Sequence, residues 1–233
     1  MSNVLAIVPA RGGSKGVPRK NLKKINDLTL VEHAVICCKS ASPWIDVVVS
    51  SDSKETIDLA VKSGAIVNSL RPEHLSGDRV EDTPVLLHEC ALAEQILGKS
   101  YDIVMMIQPT CPLRKPEDLN EALSILISNA NYTAVWSVTP VDISFHPMKQ
   151  LVCTDSTCLS YYNEKGRNIV ARQELATTFI RNGAVYAIRR SALSSLKDLK
   201  SVPTFPLQIH RQLINIDTLD DLELARELMR NTA

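Results

Sequence analysis

The sequence of 233 residues predicts an α/β fold, doubly wound, in which a mostly parallel sheet carries helices on both faces. Three observations favour this class. Short runs of β-branched and aliphatic residues alternate with stretches whose apolar residues recur at helical spacing. Several of the strand-like runs are continuous in apolar residues, as in strands buried on both faces. The length fits one large domain, and 45% hydrophobic with 22% charged residues is typical of a globular chain.

The first part of the chain alternates regularly between strand and helix signals. Gly64 and Gly98 each follow a helical pattern at a position typical of a C-cap, and Pro116 begins a third helical pattern. The predicted elements are, in order, strand Val4–Val8, helix Leu28–Ser40, strand Ile45–Ser50, helix Lys54–Lys62, strand Ala65–Val67, helix Asp82–Leu97, strand Ile103–Ile107, helix Pro116–Ser128 and strand Ala134–Val138.

The alternation weakens after Pro140. Residues 141–182 hold short polar and aromatic strand-like pieces and few helix signals. We therefore expect one domain over residues 1–233, with an insertion at 140–182. The remaining predicted elements are strand Ala184–Ile188, helix Ser191–Leu196, strand Leu213–Ile216 and helix Leu219–Arg230.

Composition excludes several classes of protein. The 26 basic and 26 acidic residues give a net charge of zero, which argues against a general nucleic-acid binder. No apolar run approaches the roughly 18–20 residues of a membrane span. No C-x-x-C pair occurs, so a zinc site is not expected. The apolar run Val4–Val8 has no basic segment before it and is followed at once by Pro9, which is typical of a buried strand and not of a signal peptide. We therefore predict a cytoplasmic protein with reduced thiols. The six cysteines are Cys37, Cys38, Cys90, Cys111, Cys153 and Cys158.

The neutral total conceals a cationic segment directly after the first strand. Six basic residues and no acidic residue lie between Arg11 and Lys24. Within this segment the loop Gly12–Gly16 suits a phosphate chain, because glycines let backbone N–H groups approach and the cations add charge. The loop matches neither the P-loop nor the dinucleotide-binding pattern. A solvated basic turn remains the alternative to an anion site.

Other candidate groups follow later strands, where ligands of parallel α/β sheets bind. Asp217 follows an apolar run and can either hold a divalent cation or cap the next helix. Thr218 with Asp221 predicts a capping box for that helix. Arg114 can bind an anion or brace its loop, and Cys111 is expected to be a packed thiol rather than a nucleophile.

Together these segments resemble the acylneuraminate cytidylyltransferases, also called CMP-sialic acid synthetases, over essentially the whole chain. The first and fifth motifs given below are specific, and the order and spacing of the others support them. The segments that carry the resemblance are Ala10–Gly16, Lys20–Leu22, Val49–Asp52, Leu70–Pro72, Gln108–Arg114, Arg172–Gln173, Asn182–Tyr186 and Ile216–Thr218.

The resemblance implies a reaction: transfer of CMP from CTP to the anomeric hydroxyl of a 2-keto-3-deoxy sugar acid, with release of pyrophosphate. It implies Mg²⁺ or Mn²⁺ as cofactor, held at Asp217 and Asn215, and a homodimer formed through the 140–182 insertion. It assigns nucleotide binding to Ala10, Arg11, Gly12, Gly13, Ser14, Lys15, Lys20, Asn21, Arg71 and Thr83. It assigns sugar binding to Gln108, Lys149, Arg172 and Asn182, with Lys149 supplied by the second subunit. The residues that it implies for catalysis are Arg11, Lys15, Lys20 and Asp217.

Two departures from the family pattern bear on the site. The metal motif, often Asp-Ile-Asp, is here Asn215-Ile216-Asp217, so one carboxylate is replaced by a neutral amide. Thr83 stands where the family often has a nucleotide-contacting hydroxyl. The general base stays open between a metal-bound hydroxyl and Asp217.

The sugar acid also stays open. A nine-carbon acid of the sialic, legionaminic or pseudaminic type is the leading expectation, and an eight-carbon 3-deoxyoctulosonate is the nearer alternative. Because the metal motif has lost an acid, a non-catalytic CTP-binding regulatory protein is the alternative of another class.

Overall fold

The structure is a computed structural model that describes residues 2–66, 69–154, 157–193 and 202–230. The chain divides into two compact units, each described by itself. Unit 1 comprises Met1–Ser137, Asn182–Leu207 and Arg211–Ala233. Unit 2 comprises Val138–Arg181 and Gln208–His210.

The secondary structure follows the predicted alternation closely. The strands are β1 (Val4–Pro9), β2 (Lys24–Ile25), β3 (Leu28–Thr29), β4 (Ile45–Ser50), β5 (Ile103–Met106), β6 (Ala134–Pro140), β7 (Leu151–Thr154), β8 (Cys158–Tyr161), β9 (Phe179–Arg189) and β10 (Thr204–Gln208). The helices are α1 (Leu30–Ala41), α2 (Lys54–Lys62), α3 (Asp82–Leu97), α4 (Pro116–Ser128), α5 (Arg190–Leu193) and α6 (Leu219–Arg230).

A six-stranded sheet in the order β10-β6-β9-β5-β1-β4 forms the centre of the fold. The strand β1 pairs in parallel with β4 and with β5, so that Val4 lies opposite both Ile45 and Ile103. The strand β9 runs antiparallel to β5, with Met106 opposite Tyr186. The expected mostly parallel α/β sheet is therefore confirmed.

The helices cover both faces of this sheet because side chains of β1 alternate between two apolar cores. Val4, Ala6 and Val8 pack in one core with residues of α1 and α4, whereas Leu5 and Ile7 pack in the other with residues of α3. The alternation makes the sheet doubly wound. A third core joins α6 to the short β2–β3 hairpin.

Local sequence explains where the helices begin. The side chain of Thr29 accepts a hydrogen bond from the Glu32 backbone amide, and the Glu32 carboxylate accepts one from the Thr29 backbone amide, which is a capping box. The predicted helix from Leu28 therefore begins at Leu30 instead. The Ser53 side chain accepts a hydrogen bond from the Thr56 amide and so caps α2, and Gly98 ends α3 in the left-handed conformation.

Some of the predicted elements were wrong or incomplete. The described residues Leu213–Ile216 form no strand, although the Ile216 amide donates to the Thr110 carbonyl at 2.8 Å. The strand β10 was missed because Pro206 interrupts its pattern, which only an edge strand tolerates. Of Ala65–Val67, Ile66 forms a single bridge and Val67 lies outside the described residues; of Ser191–Leu196, Ser194 onward also lies outside them.

Unit 2 contains the β7–β8 hairpin and several single helical turns. His146 is buried: its Nδ1 accepts from the Met148 amide at 3.1 Å, so the proton is on Nε2, which lies 3.0 Å from the Ala176 carbonyl. The predicted insertion at 140–182 overlaps this unit, and its role in dimerisation stays a prediction. None of the helices in the described ranges has the length and apolarity needed to cross a membrane.

Candidate active site

A cavity of about 550 Å³ lies at the carboxyl ends of β1 and β5. Its walls come from the loop after β1, the segment between α2 and α3, the loop after β5 and the segment before α6. Charged and polar side chains dominate these walls, which suits an anionic ligand. This is the edge of the sheet at which the sequence predicts a ligand site.

The loop after β1 is held in place by polar contacts. The Gly12 amide donates to Asp52 Oδ1 at 2.6 Å, and Asn21 Nδ2 donates to the Arg11 carbonyl at 2.9 Å. The Ala10 amide continues the pairing with β4 by donating to the Ser50 carbonyl at 2.8 Å. These bonds present the backbone of Gly12–Gly16 beside the cations Arg11 and Lys15. The loop is thus anchored rather than a free surface turn.

Segments from the N-terminal and C-terminal parts of the chain meet at this loop. Lys20 Nζ donates to the Ile216 carbonyl at 2.8 Å and to Asp217 Oδ1 at 2.9 Å. A Cβ added to Gly16 would lie only 2.4 Å from the Asp217 carbonyl oxygen, so glycine is required for this close approach. The fold therefore places the predicted phosphate loop against the predicted metal-binding residue.

Asp78 is a site residue that sequence reasoning missed. Its Oδ1 lies 2.6 Å from Arg11 Nη1, and its Oδ2 lies 2.5 Å from Lys15 Nζ. The hydrogen bonds from Lys15, and then from Arg11, hold the pKa of Asp78 below its usual value. Arg11 and Lys15 have no acidic residue near them in the sequence, and in the fold both pair with this carboxylate. The only sequence signal was an acidic residue within a polar segment after Arg71.

Arg71 lines the cavity although its side chain is largely buried. Its Nε donates to Ser50 Oγ at 2.8 Å and its Nη2 to the Ser50 carbonyl at 2.7 Å. Burial, opposed by the charge of Glu89, lowers the pKa of Arg71. Ser50 Oγ in turn lies 2.7 Å from Glu89 Oε1. Sequence reasoning found Arg71 and the motif Val49–Asp52 that contains Ser50, and it missed the buried Glu89.

The residues predicted to hold a metal both line the cavity. Asp217 is mostly exposed and is paired with Lys20, while Asn215 Oδ1 accepts a hydrogen bond from the Thr110 hydroxyl. No group of three or more His, Cys, Asp or Glu side chains suited to a metal occurs within the part of the chain that the structure describes. One carboxylate and one amide fit a cation such as Mg²⁺, which completes its shell with water and substrate phosphates.

The capping box predicted before α6 is confirmed. Asp221 Oδ2 accepts hydrogen bonds from the Asp217 amide at 3.0 Å and the Thr218 amide at 2.8 Å. Thr218 Oγ1 accepts from the Asp221 amide at 3.1 Å. These contacts, led by the Asp217 amide, lower the pKa of Asp221. Asp221 therefore shapes the backbone around Asp217 and does not line the cavity.

The loop after β5 contributes Gln108 and Thr110 to the cavity. Arg114 is buried and donates to the carbonyls of Gln108, Gly183 and Ala184, so it braces this loop. Cys111 is buried as well, and burial raises its thiol pKa, which fits a packed thiol.

The remaining predicted residues lie away from the cavity walls or in unit 2. Asn182 is buried and accepts a hydrogen bond from the Ala184 amide at 3.2 Å. Thr83 is buried in α3, and its neighbour Asp82 lines the cavity instead. Lys149 and Arg172 belong to helical turns of unit 2. Their contact with substrate stays a prediction.

Known proteins resemble this chain over nearly its whole length. The family model described as Cytidylyltransferase matches residues 5–232. The CMP-N,N'-diacetyllegionaminic acid synthase of Legionella pneumophila is 30% identical over 228 residues, covering 97% of this chain and 96% of that relative. The pseudaminic acid cytidylyltransferase of Campylobacter jejuni is 27% identical over 97% of this chain and 96% of its own length. A solved structure of CMP:2-keto-3-deoxy-manno-octonic acid synthetase with CTP superposes with a TM-score of 0.73 at 19% identity and covers 100% of both chains, a likeness of fold.

Proposed function

Since this chain belongs to the cytidylyltransferase family, and is therefore a nucleotidyltransferase, we propose that it transfers CMP from CTP to a nine-carbon 2-keto-3-deoxy sugar acid. The observation that carries this proposal is the cavity in which Arg11, Lys15 and Lys20 lie with Asp217. The acids in the names of the two relatives, legionaminic and pseudaminic acid, are of this sialic-acid-like class. The experiment below determines which acid of this class is the substrate.

In the proposed reaction the anomeric hydroxyl oxygen attacks the α-phosphorus of CTP. One P–O bond forms to the sugar, the P–O bond to the β-phosphate breaks, and pyrophosphate leaves. The hydroxyl proton is lost to solvent or to a carboxylate of the cavity. Because an anionic sugar approaches an anionic triphosphate, positioning and charge neutralisation supply most of the catalysis.

The loop after β1 supplies that neutralisation. Arg11 and Lys15 both pair with Asp78. A triphosphate can offer these two cations several phosphate oxygens in place of one carboxylate. Lys20 is held by the Ile216 carbonyl and Asp217, which fixes its ammonium group at the cavity wall. Each such contact is expected to contribute on the order of 10²–10³ in rate.

Asp217 and Asn215 would hold the Mg²⁺ or Mn²⁺ ion of this reaction. When bound, the ion supplies positive charge to the triphosphate and to the departing pyrophosphate. Asn215 can offer only its amide oxygen, which Thr110 already engages. We therefore expect weaker metal binding than at a site with two carboxylates.

We further propose that Gln108, Asn182, Lys149 and Arg172 recognise the sugar acid, with Lys149 reaching the site of a second subunit. Unit 2 exposes large apolar side chains, which supports a homodimer formed through this unit. The exposed apolar side chains include Phe145, Leu151, Leu159, Tyr162, Val170 and Ile180.

We propose that the reaction takes place in the cytoplasm, with CTP and the sugar acid as the small-molecule partners.

Pyrophosphate release from CTP and Mg²⁺ with a panel of acids tests the proposal. The panel contains sialic, legionaminic and pseudaminic acids and the eight-carbon 3-deoxyoctulosonate. Arg11→Ala is expected to lower kcat/KM by about 10²–10³. Arg19→Ala is the matched control: this cation lies in the same basic segment, pairs with Glu55 and does not line the cavity, so its variant should retain activity.

Four results would count against the proposal. Folded protein that releases no pyrophosphate with any acid would reject it, and CTP binding without turnover would favour a regulatory protein. If the octulosonate alone were turned over, the proposed substrate would be an eight-carbon acid instead of a nine-carbon one. Full activity of Arg11→Ala would remove that side chain from its assigned role.

A further inference from the structure

A fully buried carboxylate is connected through Ser50 to Arg71, which lines the cavity. Glu89 has no exposed surface and lies on α3 among apolar neighbours such as Leu86. Burying an ionised carboxylate is costly unless hydrogen bonds and an opposite charge compensate. In this fold Ser50 supplies a hydrogen bond and Arg71 supplies the opposite charge.

The hydroxyl of Ser50 has a fixed direction in this network. It has one hydrogen to donate, and Arg71 Nε donates to its oxygen at 2.8 Å. The hydroxyl hydrogen must therefore point to Glu89 Oε1, which lies 2.7 Å away. By accepting the hydroxyl hydrogen, Glu89 keeps that hydrogen away from Arg71. Ser50 Oγ is therefore oriented to accept from Arg71 Nε.

Arg71 is in turn fixed along one edge of its guanidinium. Nε and Nη2 bond to Ser50, and the backbone amide of Arg71 donates to the Ser51 carbonyl at 2.8 Å. Nη1 has no hydrogen-bond acceptor among the residues that the structure describes, while the side chain lines the cavity. The guanidinium is thus fixed by Ser50 through Nε and Nη2, and it keeps Nη1 to donate to a ligand in the cavity.

We propose that Glu89 is a positioning residue for nucleotide binding: through the Ser50 hydroxyl it fixes the plane of the Arg71 guanidinium and balances its charge. This inference rests on the proposed function, because Arg71 must contact CTP for its position to matter. Glu89 itself does not touch substrate. Its effect should appear in the affinity for CTP and disappear when Arg71 is absent.

Calorimetric CTP binding and steady-state kinetics of five variants test this role. Glu89→Ala is expected to weaken CTP binding about tenfold and to raise KM for CTP accordingly, since a hydrogen bond to a charged group is lost. The KM for the sugar acid should be unchanged. Glu89→Gln retains an acceptor for Ser50 and should restore most of the affinity. In an Arg71→Ala background, Glu89→Ala should add less than about twofold.

Cys90→Ala is the matched control, because this buried neighbour on α3 interacts with Arg190 and Glu94 instead of the network. It should leave CTP affinity unchanged. If Glu89→Ala does not fold, Glu89→Gln and Ser50→Ala test the same bridge, and Ser50→Ala should weaken CTP binding.

The outcomes separate the inference from the proposed function. Normal turnover by the wild type with additive effects of Glu89→Ala and Arg71→Ala would overturn the positioning role alone. Unchanged CTP affinity of Glu89→Ala, with a lower Tm as its only effect, would overturn it too. Wild-type protein that binds CTP but modifies no acid would reject the proposed function, and the calorimetric comparison would still decide the role of Glu89. Wild-type protein that binds no CTP would overturn both.

Discussion

Replacing Gly16 with alanine tests the close approach that joins the phosphate loop to Asp217. The new Cβ would lie 2.4 Å from the Asp217 carbonyl oxygen, whereas Cβ contacts below 3.0 Å are essentially never seen. The obstacle is backbone, so no flexible side chain can move aside. Either the loop or the segment before α6 must shift, and a shift of this kind costs about 1–3 kcal/mol of stability.

The same shift should lower activity more strongly than stability. Lys20 takes its position from the Ile216 carbonyl and from Asp217, so a displaced segment also displaces this cation. A misplacement on the order of 1 Å costs about 10²-fold in rate. We therefore expect Gly16→Ala to lower kcat/KM about a hundredfold in the pyrophosphate assay while the protein still folds.

Gly13→Ala is the control for stability in the same loop, because a Cβ at Gly13 has no atom within 4 Å. Its Tm should equal or slightly exceed that of the wild type, since alanine reduces the freedom of the unfolded chain. If Gly16→Ala matched the wild type in both Tm and kcat/KM, the packing of the loop against Asp217 would be refuted.

Three further variants make separate predictions. Asp78→Asn removes the carboxylate that competes with phosphate for the loop cations, so KM for CTP should fall several-fold; an increase would show that Asp78 assists binding. Asn215→Asp adds a carboxylate beside Asp217, so the Mg²⁺ concentration for half-maximal rate should fall, and an unchanged requirement would separate position 215 from the metal. Asp221→Ala should cost about 1 kcal/mol of unfolding free energy at pH 7. Because the folded pKa of Asp221 lies below the ordinary value of 3.8, its contribution is present above that pH and is lost as pH falls through the folded pKa; thermal melts at pH 7 and pH 3 should show the difference between variant and wild type shrinking.

Short-range signals made much of the fold predictable. The helices α2, α3, α4 and α6 begin and end at the predicted residues, because caps, Pro116 and Gly98 are local features of the chain. The strand β10 was not predictable in this way, since Pro206 lowers strand propensity and the pairing depends on a distant partner. The antiparallel direction of β9 likewise depends on β5, which lies some 80 residues earlier in the chain.

The cations of the candidate site were predictable from the sequence, but the residues that pair with them were not. A cluster of cations after a strand predicts an anion site, and the cavity contains Arg11, Lys15 and Lys20. The partner Asp78 lies 67 residues from Arg11 in sequence, and the buried Glu89 is joined to Ser50 across 39 residues. Such contacts follow from tertiary packing, which no local pattern encodes.

Detection of the product by mass is the decisive test of CMP transfer to a nine-carbon sugar acid. Purified protein is incubated with CTP, Mg²⁺ and each sugar acid, and the mixture is examined by mass spectrometry for the acid joined to CMP. We expect a CMP-linked nine-carbon acid formed together with an equal amount of pyrophosphate. Absence of a CMP-linked product from every nine-carbon acid, by protein that is folded and binds CTP, would contradict it.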